Sequence, residues 1–338
     1  MAATIFITAV NAILPIVLLI ALGYFLRQRN FLTEEFVRIG NKLMFRILIP
    51  VLLFTNSYSI QSFSSVPWDL ALFGVGMILV IFLLGCLLTP GLTRDRGRKG
   101  VLLQSTFRSN TAVIGISLAQ ALGGEEAVLV ATVTTAVCVP LLNMLSVVAL
   151  SMYGGKGGKP DIRKLLLNVI TNPLIVGIAA GFVCVAIRTA QVPLFGGVVF
   201  TLSGNLKFLY SAIRQLANIA TPFSLLMLGG EFSFSAMGDM KREIAWGTAW
   251  RVVITPALGL GAAILLTMLG VLHCTSPDYP ALIALFGTPA AVSSAVMAGQ
   301  LGCDEQLAAQ IVVWTSVASI FTLFVTVCVL MGTGLLAV

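Results

Sequence analysis

The chain has 338 residues, of which 58% are apolar and only 10% charged, with a formal net charge of +7 and a mean hydropathy of +1.02. Soluble domains carry about 25% charged residues, so there is too little polar surface here to cover a water-soluble globule. The composition excludes a soluble enzyme, a secreted disulfide scaffold and a receptor with a large ectodomain.

A transmembrane helix needs roughly 20 apolar residues to cross the hydrocarbon core. Runs of this kind are predicted at 5–26, 36–57, 68–92, 101–122, 126–152, 164–189, 208–230, 243–270, 280–301 and 305–335. The runs are continuous and do not alternate as the strands of a β-barrel would. The opening MAATIFITAVNAILP has no basic n-region and reads as an uncleaved first span. The connections RQRNFLTEE, TPGLTRDRGRKG, YGGKGGKPDIRK, GDMKRE and CTSPDYP carry turn and charge chemistry. GGKGGKPD, at mid-chain, is the flexible linker.

The basic residues orient the chain and do not signal nucleic acid. Fourteen Lys and Arg residues follow spans 1, 3, 5 and 7, from Arg27 to Arg242, against Arg188, Lys207 and Arg214 on the other side. Positive loops stay cytoplasmic, so both termini are expected outside the cytoplasm, in a multi-pass protein of the cell inner (plasma) membrane. The six cysteines are scattered without a CxxC pair and read as small buried hydrophobes. His273 has no companions for a metal site, and neither a metal nor a cofactor is expected.

The chain carries an internal repeat. Residues 112–133 laid over 291–312 match from Ala112/Ala291 to Val133/Val312, with LGGEE in one copy and LGCDE in the other. PIVLLIALGY (Pro15 to Tyr24) parallels PLIVGIAAGF (Pro173 to Phe182), and Pro50 parallels Pro222. The growing offset places an insertion around QVPLFGGVVFTLSGNLK. Five spans per copy is an odd number, so the copies cross the membrane in opposite directions. The expected fold is an all-α polytopic membrane protein: residues 1–152 hold the first inverted repeat, 153–163 a cytoplasmic linker and 164–338 the second. Inverted repeats are the signature of secondary transporters, whose substrate site lies where discontinuous helices meet near the midplane.

Span 4 is interrupted by Ser105, Thr106, Arg108, Ser109, Asn110 and Thr111 before Gly115; span 9 is interrupted by Gly287, Thr288 and Pro289, with Ala290, Ser293 and Ser294 following. Pro removes a backbone donor and clashes with the preceding turn. Such breaks persist at membrane depth only where protein or a water-filled cavity satisfies the freed groups. By the inverted symmetry Asn110 and Pro289 face one another, with half-helix N-termini whose free N–H groups suit a carboxylate.

FRSNTAVIGISLAQALGGEEAVLVATVTTAVCVPLLNMLSVV, LPIVLLIALGYFLRQRNFLTEEFVRIGNKLMFRILIPVLLF, TPFSLLMLGGEFSF and GTPAAVSSAVMAGQLGCDEQLA resemble, in order, segments of the auxin efflux carrier family, and the likeness covers nearly the whole chain. The resemblance implies a ten-helix fold similar to bile-acid symporters and sodium/proton antiporters, with a scaffold of spans 1, 2, 6 and 7 and a transport domain of spans 3–5 and 8–10 containing crossing broken helices 4 and 9. It also implies transport of small organic acids and a homodimer. By position, Asn110 matches the asparagine that contacts the substrate carboxylate and Pro289 the proline of the second crossing. The plant members have a proline in the first crossing; this chain has only Asn110 and Thr111 there. The short linker places the chain in a compact, bacterial-type branch.

Of the intramembrane basic residues, Arg108 has three roles open to it: attracting an anion, holding crossover carbonyls, or snorkelling to the cytoplasm. Arg38 and Lys42 read as interfacial anchors, Arg46 as a deeper group beside an access path, and Arg251 as a snorkelling side chain. Asn143, Thr315 and Ser316 are helix-interior polar groups open to either helix–helix bonding or the site. All thirteen acids lie in loops or at span ends, so no buried carboxylate proton relay is visible. The favoured function is alternating-access transport of a small organic anion, with Asn110, Thr111, Arg108, Ser109, Thr288, Pro289, Ala290, Ser293, Asn143 and Arg46 as candidate site residues. A sodium-coupled bile-acid-type symporter on the same fold and a membrane-embedded enzyme are the alternatives.

Overall fold

The structure, a computed structural model, describes residues 2–59, 68–154, 167, 170–232 and 235–336. Among these the chain is helical, with an isolated antiparallel bridge between Ser109 and Ala290. The 153–163 linker lies almost wholly outside the described residues.

Helix α1 spans Ala2–Gln28. Helix α2 (Glu34–Leu43) starts at a Thr33 cap whose side chain accepts from the Phe36 N–H, as an N-cap hydroxyl does. A wide π-type turn, Met44–Leu48, carries it into α3 (Ile49–Tyr58). Pro50 follows that turn at once: a proline without an N–H, crowding the carbonyl four residues back, forces the helix to widen. Helix α4 is Trp68–Leu88 and α5 Arg96–Phe107. After residues 108–110 a second π-type turn, Thr111–Gly115, leads into α6 (Ile116–Tyr153), which is kinked at Gly124 with φ of 63°. Only glycine tolerates such a backbone at little cost, and the kink falls between the segments predicted as spans 4 and 5.

Helix α7 (Pro173–Phe195) begins behind an Asn172 cap and runs past the expected end at 189 to a left-handed Gly196; the predicted start at 164 lies outside the described residues. Cap, then proline, then terminal glycine is the usual order of helix punctuation. The predicted insertion is ordered by Gln191: its Oε1 accepts from the Val199 and Phe200 N–H groups, and its Nε2 donates to the Phe200 carbonyl. Short α8 (Leu202–Asn205) precedes α9 (Lys207–Glu231). Helix α10 (Lys241–Ala249), a π-type turn Trp250–Ile254 and α11 (Thr255–Met268) form one rod, again widened just before a proline, Pro256. Helix α12 (Asp278–Leu282) continues through Ile283–Gly287, breaks, and resumes as α13 (Ser293–Gln300), followed by α14 (Glu305–Gly332). Among the described residues, five stretches are long and apolar enough to cross a membrane by length and composition: Trp68–Gly91, Leu118–Tyr153, Pro173–Phe195, Gly238–Met268 and Glu305–Gly332.

Two helix pairs approach backbone to backbone. A Cβ on Gly23 of α1 would collide with the Leu226 carbonyl of α9, and one on Gly181 of α7 would meet the Phe54 carbonyl of α3. Residue 181 relates to 23 by the offset of Pro173 from Pro15, and 226 relates to 54 by the offset of Pro222 from Pro50. Close approach through small residues drives helix association in lipid, where no hydrophobic force acts between helices.

On one end of the bundle, Arg98 at the start of α5 joins two other helices. Its Nε donates to Asp304 and its Nη1 to Glu243, both at 3.2 Å. Burial lowers the Arg98 pKa, but the hydrogen bonds and charges of Glu243 and Asp304 outweigh it and hold the group above its ordinary value. Asn41 of α2 reaches across to Glu305 of α14 at 3.1 Å.

Candidate functional site

Span 4 leaves helical geometry at Arg108 (φ −79°, ψ 103°) and regains it after Asn110 (φ −92°, ψ 44°). The interruption therefore forms without a proline and is three residues wide. Pairing with the second break holds it open. The Asn110 N–H donates to the Pro289 carbonyl at 2.9 Å, and Ser109 bridges Ala290. The Ala290 N–H donates in turn to Thr315 Oγ1 at 3.1 Å. Both gaps thus satisfy backbone groups against each other and against α14, as buried backbone requires.

Beside this junction lies a cavity of about 70 Å³. From the first break it is lined by Arg108, Ser109 and Asn110, and from the second by Ala291, Val292 and Ser293. Helix α6 adds Val139, Leu142 and Asn143. The opposite wall comes from Met44, Ile49, Leu52, Leu53 and Asn56 on the α2–α3 segment and from Ala220, Thr221 and Ser224 on α9. Among the described residues no carboxylate lines it. The helical segments beginning at Thr111 and Ser293 point their N-terminal ends this way, where unpaired N–H groups and the helix dipole favour an anion.

Arg108 is 3% exposed, so the snorkelling alternative is closed. Its Nη2 donates to Asn143 Oδ1 at 2.8 Å and to Ser293 Oγ at 2.7 Å. Among the described residues its Nε and Nη1 have no hydrogen-bond partner, and neither has the Ser109 hydroxyl or the Ser224 hydroxyl across the cavity. The Asn110 side chain caps no helix. Asn143 is itself pinned, its Nδ2 donating to the Val139 carbonyl at 2.8 Å.

The structure thus gathers five of the ten sequence candidates, Arg108, Ser109, Asn110, Asn143 and Ser293, around one cavity and leaves the other five off its wall. Thr111 is turned to Thr135, 3.2 Å away. The Thr288 hydroxyl donates to the Ala284 carbonyl. Pro289 and Ala290 act through the backbone only. Arg46 is exposed, because the π-type turn rotates Met44, Phe45 and Leu48 inward and leaves Arg46 on the outer face. Thr315 secures Ala290, and Ser316 bonds its own helix at Val312. Sequence reasoning missed Asn56, Thr221 and Ser224. Asn56 and Ser224 sit six and two residues after the paired prolines 50 and 222, a signal that was available.

Residues 8–327 match the family described as membrane transport protein. The chain belongs to this family, the one that its likeness to auxin efflux carriers pointed to. The transporter is 21% identical over 323 residues to an uncharacterized transporter of Methanothermobacter thermautotrophicus, covering 94% of this chain and 97% of that one. It is 24% identical over 271 residues to an uncharacterized transporter of Methanocaldococcus jannaschii, covering 77% and 80%. Family and apolar helices together make it a multi-pass membrane protein.

One further cation of this transporter departs from expectation. Arg251 does not snorkel: it is 0% exposed. Its Nε donates to the Thr288 carbonyl at 3.0 Å, and its Nη2 donates to the carbonyls of Phe286 at 2.6 Å and Leu285 at 3.5 Å. The carbonyls closing the first half of the second interrupted helix draw the side chain inward. Among the described residues no three His, Cys, Asp or Glu side chains converge as a metal set.

Proposed function

We propose that the protein is a secondary carrier that binds a small organic anion in this cavity and moves it across the cytoplasmic membrane by alternating access. The observation that carries the reading is Arg108: a buried guanidinium in a cavity rich in donors, with two nitrogens unpartnered and no carboxylate on the wall among the described residues. An isolated buried charge costs several kcal/mol, and a carboxylate is its natural partner, because an N–H of the guanidinium left without an acceptor donates a charge-assisted hydrogen bond to a carboxylate oxygen. Asn110 and the half-helix N-termini add donors, and the Met44, Leu52 and Leu142 side of the cavity receives the apolar part of the acid.

The wall composition supports the alternating-access part. The α2–α3 and α9 residues belong to the spans read as scaffold, the remainder to the spans read as transport domain, so the cavity lies on the seam between two groups. Relative motion of the groups would expose it to either side in turn. The ten-span inverted-repeat reading, with helices 4 and 9 crossing, is supported by the equivalent contacts Gly23–Leu226 and Gly181–Phe54 and by the pairing of the two breaks. The Lys and Arg distribution supports termini outside the cytoplasm, and the family resemblance supports a homodimer.

The test is stabilisation of the purified protein by a panel of small mono- and dicarboxylates, followed by uptake of the best binder into proteoliposomes. A ligand at a hundred times its Kd adds about 2.7 kcal/mol of stability. A panel in which no carboxylate stabilises the protein, or in which the binder is not transported, would refute the proposal.

A further inference from the structure

The rod formed by α10 and α11 contributes no residue to the cavity, yet one of its faces reaches the carbonyl ends of both interrupted helices. Positions 247, 251, 255 and 259 recur every four residues and lie along one side of the rod. Arg251 holds the carbonyls of Leu285, Phe286 and Thr288, where the first half of the second helix ends. One turn on, the Thr255 hydroxyl donates to the Thr106 carbonyl at 2.6 Å, where the first half of the first helix ends. The outer positions are glycines that let the rod close in. A Cβ at 247 would lie 2.7 Å from Ile311 Cδ1, and one at 259 would run into the Phe286 ring.

The last carbonyls of a helix lack intrahelical donors and carry the negative end of its dipole. Water cannot cap them here, since Phe286, Gly287 and Thr288 are buried. A guanidinium answers both needs, with a rigid fork of donors and a permanent positive charge. What it grips matters to the site. Thr288 precedes Pro289, whose carbonyl accepts the Asn110 N–H, and Ala290, which bridges Ser109.

We propose that Arg251 is a positioning residue for the anion site: a tethered cation that holds the end of the second interrupted helix, and through Thr288–Pro289 the Asn110 backbone, while Thr255 secures the first. This rests on reading the cavity as an anion site. Carbonyls converging from a helix end are also what a dehydrated alkali cation would take as ligands, and the guanidinium already fills that place. Anion affinity of the unmodified protein is therefore equal in sodium and in choline salts. Removing the charge opens the place to a small cation from solution.

The experiment compares the unmodified chain with Arg251→Lys and Arg251→Gln, purified in detergent. Hydrogen exchange is followed in peptides containing the Asn110 amide, and stabilisation is measured with butyrate and malonate as choline salts, with and without sodium chloride at equal ionic strength. In the unmodified chain sodium changes nothing. Arg251→Lys keeps the charge and keeps Asn110 protected. Arg251→Gln speeds exchange at Asn110 and weakens the anion by about tenfold or more, the scale of one hydrogen bond to a charged group, with part of the loss restored by sodium. Equal effects of Lys and Gln on global melting, with Asn110 exchange unchanged, would overturn the proposal, as would a sodium requirement in the unmodified chain. That last comparison needs no variant, so a folding failure does not shield the idea. If neither anion stabilises the unmodified chain while exchange at Asn110 still follows the charge at 251, the anion-site reading fails and the positioning role survives.

Discussion

Replacing Arg108 by Met separates a binding role from a structural one because the two predict opposite signs. The guanidinium is 3% exposed, with Nε and Nη1 unpartnered among the described residues. Methionine is unbranched and apolar and fits the same channel, so the cost of an unpaired buried charge disappears. Against that gain stand two lost hydrogen bonds, to Asn143 and Ser293, which leave Asn143 Oδ1 buried without a donor at about 1–3 kcal/mol. The two contributions nearly cancel, and the empty variant melts at or slightly above the parent. Binding shifts far in one direction. A carboxylate loses at least one hydrogen bond to a charged group, worth roughly 1.5–3 kcal/mol, so affinity falls at least about tenfold at 1.4 kcal/mol per factor of ten. Melting curves with and without the carboxylate found by the panel read both quantities from one sample. A variant that melts far below the parent, or that retains the anion-induced shift, would refute the argument and make Arg108 a strut between α6 and α13.

Asn110→Ala is expected to weaken the anion by about ten- to a hundredfold, and Asn110→Asp more, because it sets a like charge against the ligand; affinity in detergent with melting temperature as control checks both, and equal small effects would assign Asn110 to packing. Gly259→Ala drives a Cβ into the Phe286 ring, and overpacking of this kind costs about 1–3 kcal/mol, visible as a lower melting temperature. Cys303, in the loop between α13 and α14, is pushed up to about 12 by burial first and then by Asp304 and Asp95. Its thiol stays protonated at neutral pH, so maleimide labelling is slow and accelerates with rising pH. Since an unfolded thiol ionises lower, the associated stability is complete below its ordinary value of 9.0 and declines as pH climbs towards 12. Thiol labelling of Gly155→Cys from the cytoplasmic side only is expected from the charge distribution, and labelling from outside only would invert the topology.

The helical membrane class and the two breaks were readable from the sequence because each is a one-dimensional property. Hydropathy over about 20 residues marks a crossing whatever it packs against, and Thr288–Pro289 breaks its own helix by local covalent geometry. Where the side chains of Arg46, Arg108 and Arg251 go was not readable, since all three are arginines in apolar surroundings. A π-type turn before Pro50 sends Arg46 outward, Asn143 and Ser293 converge from α6 and α13 to hold Arg108, and the carbonyls of Leu285, Phe286 and Thr288 draw Arg251 inward. The far wall of the cavity was hidden for the same reason: Asn56 and Ser224 become neighbours of Asn110 only when α3 and α9 pack together. Span and break are dictated by residues adjacent in the chain, whereas the partner of a buried charge is chosen among groups up to 185 residues away, as Ser293 is from Arg108, and only packing brings those together.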